Sequence, residues 1–252
     1  MKNATSAAQF RRAPQEAPPR SGPIAPGWHT ALMVILVLGP LIQARIAARL
    51  NPGAALQAPP AIPFYLTGAL VLFIFLAFTW WGLRLRGHTL SRLVGGRWSN
   101  WKQVAGDIGL AVLFWALWYA ALSALKLGLR AAGITNSQAS GMIFPTTALQ
   151  VGLFVFNSVL SGLVEELVFR GYLMTQFTAW TRSATLGVIL QAALFGAAHG
   201  FYLGTRQVLL IFASGILIGA FALWRKNLRP AMAFHAWADI FGAVIVRGLP
   251  FQ

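Results

Sequence analysis

The sequence predicts an all-α protein, a polytopic bundle of about seven to eight transmembrane helices. Three observations carry that expectation. Of 252 residues, 57% are hydrophobic and 10% charged, against about 25% charged in soluble domains. The apolar residues fall in successive blocks near the roughly 17 to 25 residues that cross a bilayer. The blocks lack the alternation of a barrel strand, so helix is the element that satisfies its own backbone hydrogen bonds in hydrocarbon.

Residues 1–28 contain the Pro-rich run FRRAPQEAPPRSGP. They have too little apolar surface to fold and are expected to form a disordered cytoplasmic tail. A cleaved signal is the competing reading, but the segment before the first apolar block is long and Pro-rich, and FRRAPQ does not continue as a twin-arginine signal. Apolar blocks follow at about 30–44, 64–83, 108–125, 148–164, 184–198, 207–224 and 231–246. The first and fifth are short and the fourth can run on to Trp180, which leaves room for an eighth crossing or a half-span. Residues 29–147 are thus read as N-terminal helices with their connections, and 148–247 as a second unit. Trp98 and Trp101, alternating with Arg97 and Lys102, suggest a helix lying at the interface. Gly215 and Gly219 suit a small-residue packing face, and Asn157 and Ser158 suit either packing or a water path. His29 and His88, at the borders of apolar blocks, read as interface anchors.

The formal net charge is +15, yet the basic residues sit in connections and not along one face, so nucleic acid is not an expected partner. Four Lys/Arg lie in the tail, two between blocks one and two, five between two and three, two between three and four, and three between six and seven. The alternation of rich and poor connections places the N-terminus in the cytoplasm. The chain has no cysteine, which removes disulfides, iron–sulfur clusters and thiol nucleophiles.

The five acids are more informative. Besides Glu16 and Asp107 they are Glu165, Glu166 and Asp239, all three in or beside apolar blocks, where a central charge costs about 2.5 to 3.5 kcal/mol. His199 and His235 are in such blocks as well. Glu166 and Arg170, four apart with the acid first, are placed to pair within a helix. Glu165 lies about 100° round the helix and can point elsewhere. A reversal near Thr181 to Ser183 would bring Glu165 and His199 to one level, with Phe195 a turn before His199. His235 and Asp239, again four apart, share a face of the last helix.

EELVFR (Glu165 to Arg170), FGAAH (Phe195 to His199) and HAWAD (His235 to Asp239) resemble, in order, the EExxxR, FxxxH and HxxxN/D-type motifs of the CAAX protease and bacteriocin-processing family, intramembrane glutamate peptidases. The resemblance covers about 100 residues and leaves the first three spans unexplained. It implies an endopeptidase in which Glu165 acts with His199 to activate water, while His235 and Asp239 help to hold the oxyanion. Glu166 and Arg170 would orient Glu165, and Phe195 would wall the site. It implies no cofactor and no metal. The expected partners are membrane lipids and a peptide or lipidated protein substrate, such as a prenylated CAAX terminus, and the expected location is a bacterial cytoplasmic membrane.

Asp239 stands where the family often has asparagine. An ionised aspartate can only accept hydrogen bonds, so either Asp239 is protonated or it keeps His235 charged and leaves donation to the histidine. Other readings use the same residues. Two histidines with Glu and Asp are zinc ligands in principle, although the HExxH pattern is missing. A proton-coupled transporter also keeps acids and histidines in its bundle, but would show paired halves. A catalytically silent scaffold or immunity protein is the third. The peptidase reading needs a polar cavity between blocks four, five and seven, open toward the cytoplasm.

Overall fold

A computed structural model describes residues 22–50, 60–135, 143–200 and 204–242, and every regular element among them is helical. In chain order they are α1 (Gly27–Leu50), α2 (Ala61–Arg84), the short α3 (Leu90–Val94), α4 (Trp101–Ala131) and α5 (Ala148–Glu165). A π-helical segment, Glu166–Leu173, then joins α5 to α6 (Met174–Thr181), and α7 (Ala184–Ala198), α8 (Thr205–Arg225) and α9 (Arg229–Ile240) follow. Most of the expected tail, and the end of the seventh apolar block, lie outside the described residues.

The described residues of all seven apolar blocks are helical, and the helices differ in length. Among the described residues five helices are long and apolar enough to span, the fourth of them being the continuous 34-residue run Ala148–Thr181. The shorter ones are α7, with 15 residues, and α9, with 12. Thr181 Oγ1 accepts from Ser183 N and donates to Phe177 O, and Arg182 adopts a left-handed conformation with φ 56°. This reversal ends α6 and sends α7 back antiparallel at the place the sequence indicates. Starts are set by side-chain caps: Asn100 accepts from Gln103 N, Thr147 from Gln150 N and Ser183 from Leu186 N, each satisfying an amide that the helix leaves open.

The outer faces are apolar. Leu66, Leu70 and Leu117 are 56%, 60% and 62% exposed, and α4 is the barest helix, with 6% of its apolar window buried. Such a surface suits hydrocarbon, not water. The protein is an integral membrane protein. The connections rich in Lys/Arg meet at one end: Leu228 N donates to Val94 O at 3.0 Å, and the Trp28 ring at the start of α1 lies 5.5 Å from that of Trp81 near the end of α2. At the opposite end Tyr65 donates to Ile143 O.

The core is built around the π segment, all eight residues of which are buried. Its signature is the Met174 amide reaching Phe169 O, five residues back, a widened turn that recurs at functional positions in helices. Helices α2, α3, α7 and α8 pack on it, and α1 reaches it through Tyr172. His29, expected as an interface anchor, is fully buried instead. Its Nδ1 lies 2.7 Å from Tyr172 Oη and its Nε2 3.1 Å from Phe78 O, while Thr30 Oγ1 also bonds Tyr172. Ile24 and Ala25, counted with the tail on the sequence, are buried too, both amides donating to Gln176 Oε1. Polar atoms removed from water need such partners, and these residues find them across the bundle.

Two further expectations resolve. No interface helix carries both Trp98 and Trp101: Trp98 precedes α4 and donates to Asp107, whereas Trp101 is the first residue of α4. Gly215 and Gly219 do form a packing face, since a Cβ on them would meet Ala192 at 3.0 Å and Gln191 Nε2 at 2.7 Å. The closest approach near the acids is between α5 and α9, where a Cβ on Gly162 would lie 2.6 Å from Ala236 N. Gly162→Ala is therefore expected to lower stability by about 1 to 3 kcal/mol. Gly152→Ala, which meets nothing within 4 Å, should leave it unchanged. Thermal unfolding of the two variants in detergent checks this.

Candidate active site

The Glu166 carboxylate is the deepest acid of the site, with 0% of its side chain exposed. Its Oε1 accepts from Arg170 NH1 at 2.9 Å and lies 2.7 Å from His235 Nδ1. The first bond spans one helical turn and the second joins the long helix to α9. A carboxylate paired with arginine can only accept, so His235 carries its proton on Nδ1 and donates it. The Nε2 atom then points at two other acids, 3.9 Å from Glu165 Oε2 and 3.8 Å from Asp239 Oδ2. Exposure rises from Glu166 at 0% through Glu165 at 19% to Asp239 at 39%. The cluster is closed behind Glu166 and turns outward at Asp239.

Glu165 is held by a residue the sequence reading passed over. Ser161 Oγ donates to Glu165 Oε1 at 2.8 Å, while Oε2 is buried with no hydrogen-bond partner among the described residues. Glu166, expected beside Arg170 to orient Glu165, has its Oε1 on Arg170 and His235. The available signal was a small polar residue one turn before Glu165 on an apolar helix.

Phe195 joins the remaining parts. Arg170 stacks over its ring with the guanidinium carbon 4.3 Å from the centroid, an attraction strengthened where water is excluded. The same ring lies 4.8 Å from that of His199 and 6.2 Å from that of His235. His199 closes the end of α7, and its Nδ1 donates to Phe195 O at 2.7 Å, leaving Nε2 to bear the lone pair in the neutral ring. The structure thus gathers Glu165, Glu166 and Asp239 around His235, with Arg170 on Glu166, and sets His199 and His235 against the same Phe195 ring. Asn157 belongs to packing: its Nδ2 bonds Leu153 O and its Oδ1 lies near Gly68 of α2, and Ser158 next to it is buried. Among the described residues no three His, Asp or Glu side chains are grouped so as to hold a metal ion.

An apolar helical bundle that encloses acids, imidazoles and one paired arginine belongs to the integral membrane proteins that keep a polar cluster among their helices. Residues 147–241 match a family model described as type II CAAX prenyl endopeptidase Rce1-like. That stretch, 95 of the chain's 252 residues, contains all three motifs, and over it the chain is similar to the family so described. No curated protein matches, and neither does any solved structure.

Removing Arg170 would strand a buried carboxylate, a loss of about 3 to 5 kcal/mol. Arg170→Met is expected to destabilise by that order, and Arg170→Met combined with Glu166→Gln by less than the sum of the two single changes. A double-mutant cycle on thermal unfolding checks the coupling.

Proposed function

We propose that the protein is a metal-independent intramembrane endopeptidase that hydrolyses a peptide bond with water activated by Glu165. Its substrates would be prenylated CAAX-type termini or other membrane-associated peptides. The observation that carries the reading is the placement of Glu165 Oε2 opposite His235 Nε2, at 3.9 Å, while Ser161 occupies Oε1. That separation is too long for a direct bond and suits one bridging water.

In this reading Glu165 takes a proton from the water as its oxygen attacks the scissile carbonyl carbon. His199 positions that water and relays the proton taken by Glu165 to the amine as the carbon–nitrogen bond breaks, giving a carboxylic acid, which then ionises, and an amine. His235 donates from Nε2 to the tetrahedral oxyanion, a contribution of roughly 2.7 to 4 kcal/mol for an oriented donor. Asp239 balances the charge on His235 and does not itself donate. Glu166 and Arg170 hold His235 from behind. Water would enter a chamber between α5, α7 and α9 that opens toward the cytoplasm, with the N-terminus on that side. The membrane would be a bacterial cytoplasmic membrane.

Cleavage of a peptide library that includes prenylated CAAX termini, by purified protein in detergent, tests the reading. Glu165→Gln and His199→Ala are expected to lower kcat by about 10²- to 10⁴-fold. Ser161→Ala should lower it by about tenfold, the effect of one hydrogen bond of ~1.4 kcal/mol. A chelator should change nothing. Activity that survives in Glu165→Gln, or that the chelator abolishes, would overturn the mechanism.

A further inference from the structure

Asp107 lies on α4, outside residues 147–241, and the chemistry above does not use it. Its side chain is 7% exposed and is surrounded by donors from two separate parts of the chain. Trp98 Nε1 donates to Oδ2 at 2.8 Å, Arg229 Nε pairs with Oδ2 at 3.1 Å and Arg225 NH2 lies 3.9 Å from Oδ1. Asn227 Nδ2 is 3.3 Å from each oxygen, and its Oδ1 accepts from both Arg229 N and Arg229 Nε. The Arg229 guanidinium also covers the Trp98 ring at 5.2 Å.

Arg229 is the first residue of α9, and His235 follows six residues later, a rise of ~9 Å along the axis. A second contact sits beside the histidine. Phe234 packs edge-on to Phe114 of α4 at 4.7 Å, and Phe114 stacks on Phe221 of α8 at 4.1 Å. The start of α9 and the residue before His235 are therefore both held by α4. On its other side α9 is pressed against Gly162 with no room to shift inward. The His235 to Glu166 bond at 2.7 Å tolerates little displacement, because hydrogen bonds weaken steeply as geometry departs from ideal.

We infer that Asp107 is a positioning residue for His235, setting the axial place of α9 so that Nδ1 meets Glu166 and Nε2 faces Glu165. This inference rests on the peptidase reading for its effect on rate, but not for its effect on the imidazole. Asp107→Asn keeps the size and an acceptor for Trp98 while removing the charge that holds Arg229. Ser214→Ala, which loses the bond that Ser214 Oγ accepts from Trp118 of α4 and keeps the Trp118 ring on Phe234, is the structural control.

The experiment reads two signals from full-length protein in detergent: the Nδ1 proton of His235 by NMR with ¹⁵N-labelled histidine, assigned through Glu166→Gln, and peptide cleavage. In Asp107→Asn the proton signal is expected to shift or broaden and kcat to fall about 10- to 100-fold, with KM and the unfolding temperature near those of the control. An unmoved signal with unchanged kcat overturns the inference, and so does an equal change in Ser214→Ala. Should Asp107→Asn not fold, Arg229→Gln, which keeps Asp107, is read in the same way. If the wild type cleaves nothing, the peptidase reading falls while the NMR signal still decides whether Asp107 positions His235.

Discussion

One buried carboxylate organises this molecule. Glu166 is removed from solvent inside an apolar bundle, and an unpaired charge there would cost several kcal/mol. Its Oε1 takes Arg170 from its own helix and His235 from α9, so the requirement to neutralise one acid fixes how two distant parts of the chain meet. Arg170, itself fully buried, completes its surroundings by stacking on Phe195, which brings α7 and His199 into the same assembly. The π segment that carries Glu166 and Arg170 packs on α2, α3, α7 and α8, and its wide turn buries every side chain it bears.

The helices outside the matched region act on that centre from two directions. From α1, His29 and Thr30 grip Tyr172, while the turn before α1 binds Gln176 through backbone amides; the first anchor point is near the C-terminal end of the π segment and the second just beyond it. From α4, Asp107 and Phe114 hold α9. Membrane helices gain no hydrophobic drive from associating in lipid, so packing and interhelical hydrogen bonds must do this work. The polar residues of the N-terminal half are spent on it: Thr30, His29 and Asp107 all bond across helices.

Much of the candidate site was legible because intrahelical spacing is local. Glu166 with Arg170 and His235 with Asp239 are pairs four apart, and any α-helix places such residues on one face; both pairs are within reach of each other in the structure. Ser161 was equally local and was missed because a serine on an apolar helix carries no charge to draw notice. His29 and Asp107 were misjudged or left unused for another reason. Their partners lie 143 and 120 residues away, at Tyr172 and Asn227, and no periodicity in one segment reports what stands opposite it. The π turn was hidden for a similar reason, since ELVFRGYL is buried on all sides and its pattern has no solvent face to reveal a changed pitch.

By itself the sequence determined that this is a helical membrane protein, where its apolar helices lie, and which acids and histidines stand in hydrocarbon at a cost that calls for a reason. Those properties follow from solvent transfer and from the helical repeat, which act residue by residue. The tertiary structure alone decided which carboxylate each donor serves. Glu165 and Glu166 are neighbours of the same chemical type, and only the docking of α9 against Gly162 puts His235 Nδ1 on one and its Nε2 opposite the other. A hydrogen bond is directional over tenths of an ångström, and that precision comes from the packing of whole helices, not from the order of residues along any one of them.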